Sequence, residues 1–110
     1  MTINHKVAST TFRIELREGK KVLGGCYIRM RMNYNNPAYL FRMFVSKPHR
    51  GKGYGSKILE AAVGLYQESG IKLNISSDGP LSNKDLIAWY TRYGFVQTAS
   101  GTMLLKPKKP

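Results

Sequence analysis

The stretch Phe44-Val45-Ser46-Lys47-Pro48-His49-Arg50-Gly51-Lys52-Gly53-Tyr54-Gly55-Ser56-Lys57-Ile58-Leu59 decides how the rest of the chain is read. An apolar run ends at Val45, a basic loop with glycines at 51, 53 and 55 turns the chain, and a helical pattern begins near Gly53. Glycines let a backbone approach a ligand closely and adopt dihedrals that other residues resist. The helix that follows offers unpaired N–H groups and the positive end of its dipole. The stretch is therefore an anion cradle of the kind that takes a phosphate. Its spacing excludes two common versions. The dinucleotide fingerprint needs a glycine where Ser56 stands, and the P-loop needs four residues before its Gly-Lys pair and a Ser or Thr after it. A glycine-rich turn with no ligand is the plainer alternative for the loop alone.

Upstream of the cradle the pattern is that of strands. Thr10 to Leu16 alternates, with Phe12, Ile14 and Leu16 on one side and Arg13, Glu15 and Arg17 on the other. Glu18-Gly19-Lys20 predicts a turn, and a return strand runs from Lys21 to about Met32, placing Arg29 and Arg31 on one face. Within it Gly24-Gly25 marks a bulge or the close approach of another backbone. The loop Asn33 to Pro37 leads to Ala38–Val45, apolar almost throughout apart from Arg42, as a central strand should be.

Downstream, a helix from about Gly53 to Ser69 carries the apolar stripe Ile58, Leu59, Ala62, Val63 and Tyr66 and ends at Gly70. A strand over 71–76 follows directly, so it and strand 38–45 should be parallel. Ser82 opens a second helix with Asp85 in a capping-box arrangement, and Gly94 closes it. Residues 95–99 and 102–105 form a final hairpin turning at Ser100-Gly101. Residues 1–9 read as a loose arm or a short edge strand, and 106–110 as a basic tail. The expectation is a single α/β domain over 1–110, a mixed sheet with two helices in the order β-β-β-α-β-α-β-β.

Composition sets further bounds. One cysteine, Cys26, excludes an internal disulfide, and its apolar strand makes it a buried structural thiol. With neither a secretory signal nor an apolar run of about 18 residues, the expected home is the cytoplasm, with no membrane contact. The separated His5 and His49 give no metal-ligand spacing. Eighteen Lys and Arg against six Asp and Glu leave a net charge of +12. Lys47, Arg50, Lys52 and Lys57 suit the cradle; the remaining excess points to an acidic or nucleic-acid partner, or to a basic surface that serves solubility.

Two separated motifs resemble those of one family. Arg50-x-x-Gly53-x-Gly55 after a strand ending in Val45, and Asn83-x-x-Leu86-x-x-Trp89-Tyr90-x-Arg92-Tyr93-Gly94-Phe95, together resemble the GNAT N-acetyltransferases over about residues 12 to 106. The resemblance implies the acyl-CoA N-acyltransferase-like fold and acetyl-CoA as cosubstrate. Main-chain donors of Gly51, Lys52, Gly53, Tyr54, Gly55 and Ser56 would hold the pyrophosphate, with charge added by Arg50 and Lys52. Phe44 and Val45 would pair with the pantetheine arm where the strands ending at Val45 and Ser76 splay, and Asn83 would hydrogen-bond that arm. Tyr90 would be the general acid that protonates the departing thiolate.

The implied acceptor is a primary amine, on a protein lysine or terminus or on an aminoacyl-tRNA, and a homodimer is one option for assembly. A second function class stays open: a GNAT-like module that binds coenzyme A, nucleic acid or an acidic protein without turnover. Two departures from the family pattern matter. Arg42 stands where relatives place a carboxylate base, leaving Glu15 and Asp78 as surface carboxylates that would have to reach the cleft. No sequence remains for the two helices that usually hold the acceptor.

Overall fold

The computed structural model describes residues 1–8, 10–30, 38–75, 82–99 and 101–106. Seven strands form one sheet: β1 (Thr2–Ala8), β2 (Thr11–Glu18), β3 (Lys21–Arg29), β4 (Ala38–Val45), β5 (Ile71–Asn74), β6 (Val96–Ala99) and β7 (Thr102–Leu105). Their lateral order is β1-β2-β3-β4-β5-β7-β6. Helix α1 (Tyr54–Tyr66) joins β4 to β5, and α2 (Asn83–Arg92) precedes the final hairpin. The mixed α/β class expected from the sequence is the one observed.

The first nine residues are the main difference from that expectation. Seven of them form a full strand, paired with β2 from Thr2↔Arg17 to Ala8↔Thr11. β1 lies at the sheet edge and packs little on the core, with Ile3 in contact and Val7 65% exposed, so its sequence carries little apolar pattern. The strand expected over 21–32 ends at Arg29, and that over 71–76 ends at Asn74. Arg31, the loop 33–37, Ser76, the connection 77–80 and Ser100 lie outside the described residues.

Burial of one sheet face under α1 organises the core. Ile14, Leu16, Leu23, Cys26 and Ile28 from β2 and β3 meet Ile58, Leu59 and Ala62 of α1, all essentially inaccessible to solvent. Burying each such aliphatic side chain stabilises the fold by roughly 1.5–3 kcal/mol. Helix α1 ends at Tyr66, three residues before the Ser69 expected; Gly70, at φ 82°, closes the turn that follows, its N–H donating to the Tyr66 carbonyl at 2.8 Å. At α2 one half of the expected capping box is formed: Ser82 Oγ accepts from the Asp85 N–H at 3.2 Å.

Two features of β3 and β4 shape the functional cleft. A Cβ at Gly24 would stand 2.6 Å from the Phe44 carbonyl oxygen, and one at Gly25 would stand 2.5 Å from that of Ile14. The glycine pair thus marks the close backbone approach read from the sequence. Along β4, Tyr27 pairs with Arg42 but Ile28 pairs with Leu40, so Phe41 is an extra, bulged residue. The parallel ladder to β5 spans Ala38↔Ile71, Tyr39↔Lys72 and Leu40↔Leu73, and stops just before that bulge. From Arg42 to Val45 the strand keeps its β3 neighbour and has no ladder partner on the β5 side. This is why the C-terminal half of a central, apolar strand is partly exposed.

Candidate active site

The cradle is built at the carboxyl end of β4. Ser46 N–H donates to the Leu23 carbonyl at 2.9 Å, fixing where the strand stops, and Lys47–His49 makes a single 3-10 turn. Gly51 and Gly53 then both take φ of 81°, a left-handed conformation that side-chain-bearing residues adopt at a cost. A Cβ at either would meet nothing within 4 Å, so dihedral freedom and open space, not crowding, call for glycine here. Gly53 is the N-cap of α1 and offers no side chain to its first N–H groups. These donors are left for a ligand. Gly55 has a different role: it lies inside the helix, 3.6 Å from the Trp89 ring as measured from a built Cβ, and gives the indole its seat.

A cleft of about 880 Å³ runs from this turn along the unpaired edge of β4 to α2. Phe44, Val45, Arg50, Gly51, Gly53, Tyr54, Gly55 and Ser56 line it together with Tyr90. The structure thus brings together most of the residues singled out in the sequence. Lys52 and Asn83 are exposed and lie outside the lining. Residues missed by sequence reasoning also line the cleft: Asn74, whose Nδ2 donates to the Tyr39 hydroxyl at 2.9 Å, and Trp89, whose Nε1 donates to Ser56 Oγ at 3.3 Å. Arg50 Nε donates to the Val45 carbonyl at 3.1 Å, bracing the loop against the strand it leaves.

Tyr90 is 7% exposed and packs against Trp89 and Phe95, with ring centroids 5.0 Å and 5.6 Å away. Burial, and secondarily the neighbouring Cys26 sulfur, push its phenol up to about 12. Burial likewise holds the Cys26 thiol at about 12, so it stays protonated and inert, as its apolar strand implied. Tyr90 therefore keeps its proton at neutral pH and has an O–H to donate.

Glu15 corrects an expectation. Read from the sequence as a surface carboxylate that would have to reach the cleft, it is 4% exposed and lies on the sheet face away from α1. Arg17 Nη2 at 2.9 Å, Arg13 Nη1 at 3.2 Å and Lys6 Nζ at 3.9 Å surround it. Burial acts to raise its pKa, but the hydrogen bond and charge of Arg17, with Lys6 and Arg13, outweigh that and hold it below the usual range. A carboxylate so stabilised is a poor proton acceptor. Among the described residues no carboxylate lines the cleft; Asp78 lies outside them. No group of three potential metal ligands occurs among the described residues, and no helix there is long and apolar enough to cross a membrane.

The sequence profile described as the acetyltransferase (GNAT) family matches residues 3–95. The N-alpha-acetyltransferase MAK3 of Arabidopsis thaliana is 34% identical over 59 residues, which is 54% of this chain. The match spans 30% of that relative's own length. Among solved structures, the histone acetyltransferase HPA2 and related acetyltransferase of Corynebacterium glutamicum superposes with a TM-score of 0.73 at 19% identity, over 93% of this chain and 67% of that one. The PaiA N-acetyltransferase of Thermoplasma acidophilum, in complex with coenzyme A, gives 0.65 at 16% identity, over 88% and 61%. These likenesses carry the fold; the profile carries the family. The chain belongs to the acetyltransferase (GNAT) family, whose acetyl donor is acetyl-CoA.

Proposed function

We propose that this protein is an acetyl-CoA-dependent N-acetyltransferase acting on a primary amine carried by a macromolecule, with Tyr90 as the proton donor. The observation that carries the reading is a coincidence of place. An anion cradle, an unpaired strand edge and a buried protonated phenol all line one cleft. Acetyl-CoA, when bound, supplies a thioester whose acetyl group is transferable to an amine. The N–H groups at the start of α1 and the Arg50 guanidinium would take its phosphates. The β4 edge at Phe44 and Val45, which has no ladder partner on the β5 side, would take its amides as a neighbouring strand would, with the Val45 carbonyl giving up its Arg50 donor to do so. Lys52 would add only long-range charge, and Asn83 is left without a contact to the cleft.

At the reacting end, Tyr90 Oη offers its proton to the atom that gains negative charge. A phenol at about 12 is a weaker acid than an ordinary thiol near 8.5, so full transfer to a thiolate is uphill unless burial raises that thiolate too. Tyr90 is thus foremost a hydrogen-bond donor that stabilises the leaving sulfur. Arg42, in the same lining, lowers the pKa of an approaching amine, which helps it arrive neutral. Amine deprotonation by solvent fits the lack of a carboxylate among the described lining residues.

That same lack favours a second reading, a module that holds coenzyme A without turnover. Thiol release from acetyl-CoA with a panel of amine acceptors separates the two. Tyr90→Phe should slow release about 100-fold, the lower end for general acids, with the Kd for coenzyme A changed less than about threefold. Unaltered turnover removes Tyr90 from the mechanism. Calorimetry that finds no affinity for acetyl-CoA or coenzyme A sinks both readings.

A further inference from the structure

The sheet face opposite α1 carries no helix among the described residues, and its side chains form rows fixed by strand register. Residues directly opposite in paired strands project from the same face. One such row is Lys6, Arg13, Tyr27, Arg42, read across β1 to β4. The next continues Thr11, Arg29, Tyr39, Lys72 across β2 to β5. Bulged Phe41 sits between the rows, 40% exposed, with its ring 6.0 Å from Tyr27 and 6.3 Å from Tyr39.

Cations and rings interleave throughout this face. Arg13 and Arg42 lie over Tyr27 at 5.5 Å and 5.9 Å, Arg29 over Phe41 at 5.6 Å, and Lys72 over Tyr39 at 5.8 Å. Glu15, in the adjacent row with Asn4 and Gly25, is already engaged by Arg17, Arg13 and Lys6. Lys6 stands directly opposite Arg13, and like charges in that position oppose folding. Glu15 offsets part of that repulsion, and a polyanion laid across the row would offset the rest. From β1 to β5 the rows extend about 19 Å at about 4.8 Å per strand.

We infer that this open sheet face is a docking surface for single-stranded nucleic acid. Guanidinium and ammonium groups would take the phosphates, and Tyr27, Tyr39 and Phe41 would stack with unpaired bases. An acidic peptide would use the cations and leave the rings idle, and a duplex would hide its bases from them. Phe41 and Arg42 are shared with the cleft lining, whereas Arg13, Arg29 and Tyr27 lie outside it and so probe this face apart from acetyl transfer.

Fluorescence anisotropy of the full chain with a labelled 12-nucleotide RNA tests it, with the single-stranded DNA, the duplex and a polyglutamate peptide of equal charge as competitors. The expected result is preference for either single strand over duplex and peptide by at least tenfold. A log Kd against log salt slope of about 3 is expected if four phosphates are engaged. Arg13→Ala with Arg29→Ala should weaken binding at least tenfold and lower the slope, and Tyr27→Ser should weaken it with the slope unchanged. Lys84→Ala with Arg92→Ala, an equal charge loss on exposed positions of α2, should change it less than twofold. Circular dichroism melting confirms that each variant is folded. The inference falls if the peptide or duplex binds as tightly, if the α2 pair weakens binding equally, or if nothing binds at low salt. Loss of coenzyme A affinity would leave these outcomes unaffected.

Discussion

At Gly24 a hydrogen in place of a side chain is what lets β3 pass beneath β4 and α1. An alanine there would put its methyl 2.6 Å from the Phe44 carbonyl oxygen, 3.0 Å from Ile58 Cδ1 and 3.1 Å from Val45 Cα. Two of those three atoms are backbone and cannot swing aside, so the strand carrying the cradle must shift. Gly24→Ala should destabilise the protein by about 2–3 kcal/mol, the upper range for overpacking. Gly64 is the opposite case: mid-helix and exposed in α1, with nothing within 4 Å of a built Cβ. Gly64→Ala should stabilise by about 0.5–1 kcal/mol. Urea denaturation of both variants checks the pair; equal and small effects would mean that Gly24 is not crowded.

Helix α2 reaches the cradle through one side chain. The Trp89 indole lies against Gly55 and donates to Ser56 Oγ, so the helix bearing Tyr90 is tied to the first turn of the helix that would hold phosphate. This contact joins residues that the chain separates by 33 positions. If it couples the two elements, Trp89→Phe and Ser56→Ala should each cost about 1 kcal/mol for the lost hydrogen bond, with the Trp89 variant losing more for its smaller ring. The double variant should then cost less than the sum by about 0.5–1 kcal/mol. Strict additivity in a denaturation cycle would show that the bond carries no coupling.

Across the whole molecule, the charges fall into separate places. The cradle cations lie beside the cleft, and a second set with Glu15 occupies the far sheet face. Such an arrangement has a consequence for pH. In the proposed transfer the reactive acceptor is the neutral amine, and the Tyr90 phenol remains protonated until about pH 12. Turnover per acceptor should therefore climb about tenfold per pH unit up to the acceptor's own pKa, near 8 for a terminus and near 10.4 for a lysine. It should not fall again below about pH 11. A kcat/KM profile with each acceptor class checks this, and a plateau already reached by pH 6 would reveal a protein base. Glu15 acts on stability with its own sign. Its folded pKa is depressed, so its contribution is full above the unfolded value near 4.5 and is lost as pH falls through the folded one.

Both helices, six of the seven strands, the glycine turn between β4 and α1 and the Ser82 cap of the late helix were legible in the chain. Each depends on residues within a few positions: glycines at a turn, a Ser three places before an Asp, an apolar stripe of helical period. What folding alone decided concerns residues that meet across strands. The bulge at Phe41 and the three-pair ladder that opens the cleft depend on the register of β4 against β3 and β5. The burial of Glu15 under three cations, and the rows of arginine and aromatic rings beside it, depend on the pairing of β1 to β4. Register is set by the packing of the whole sheet on α1, and no local spacing encodes it.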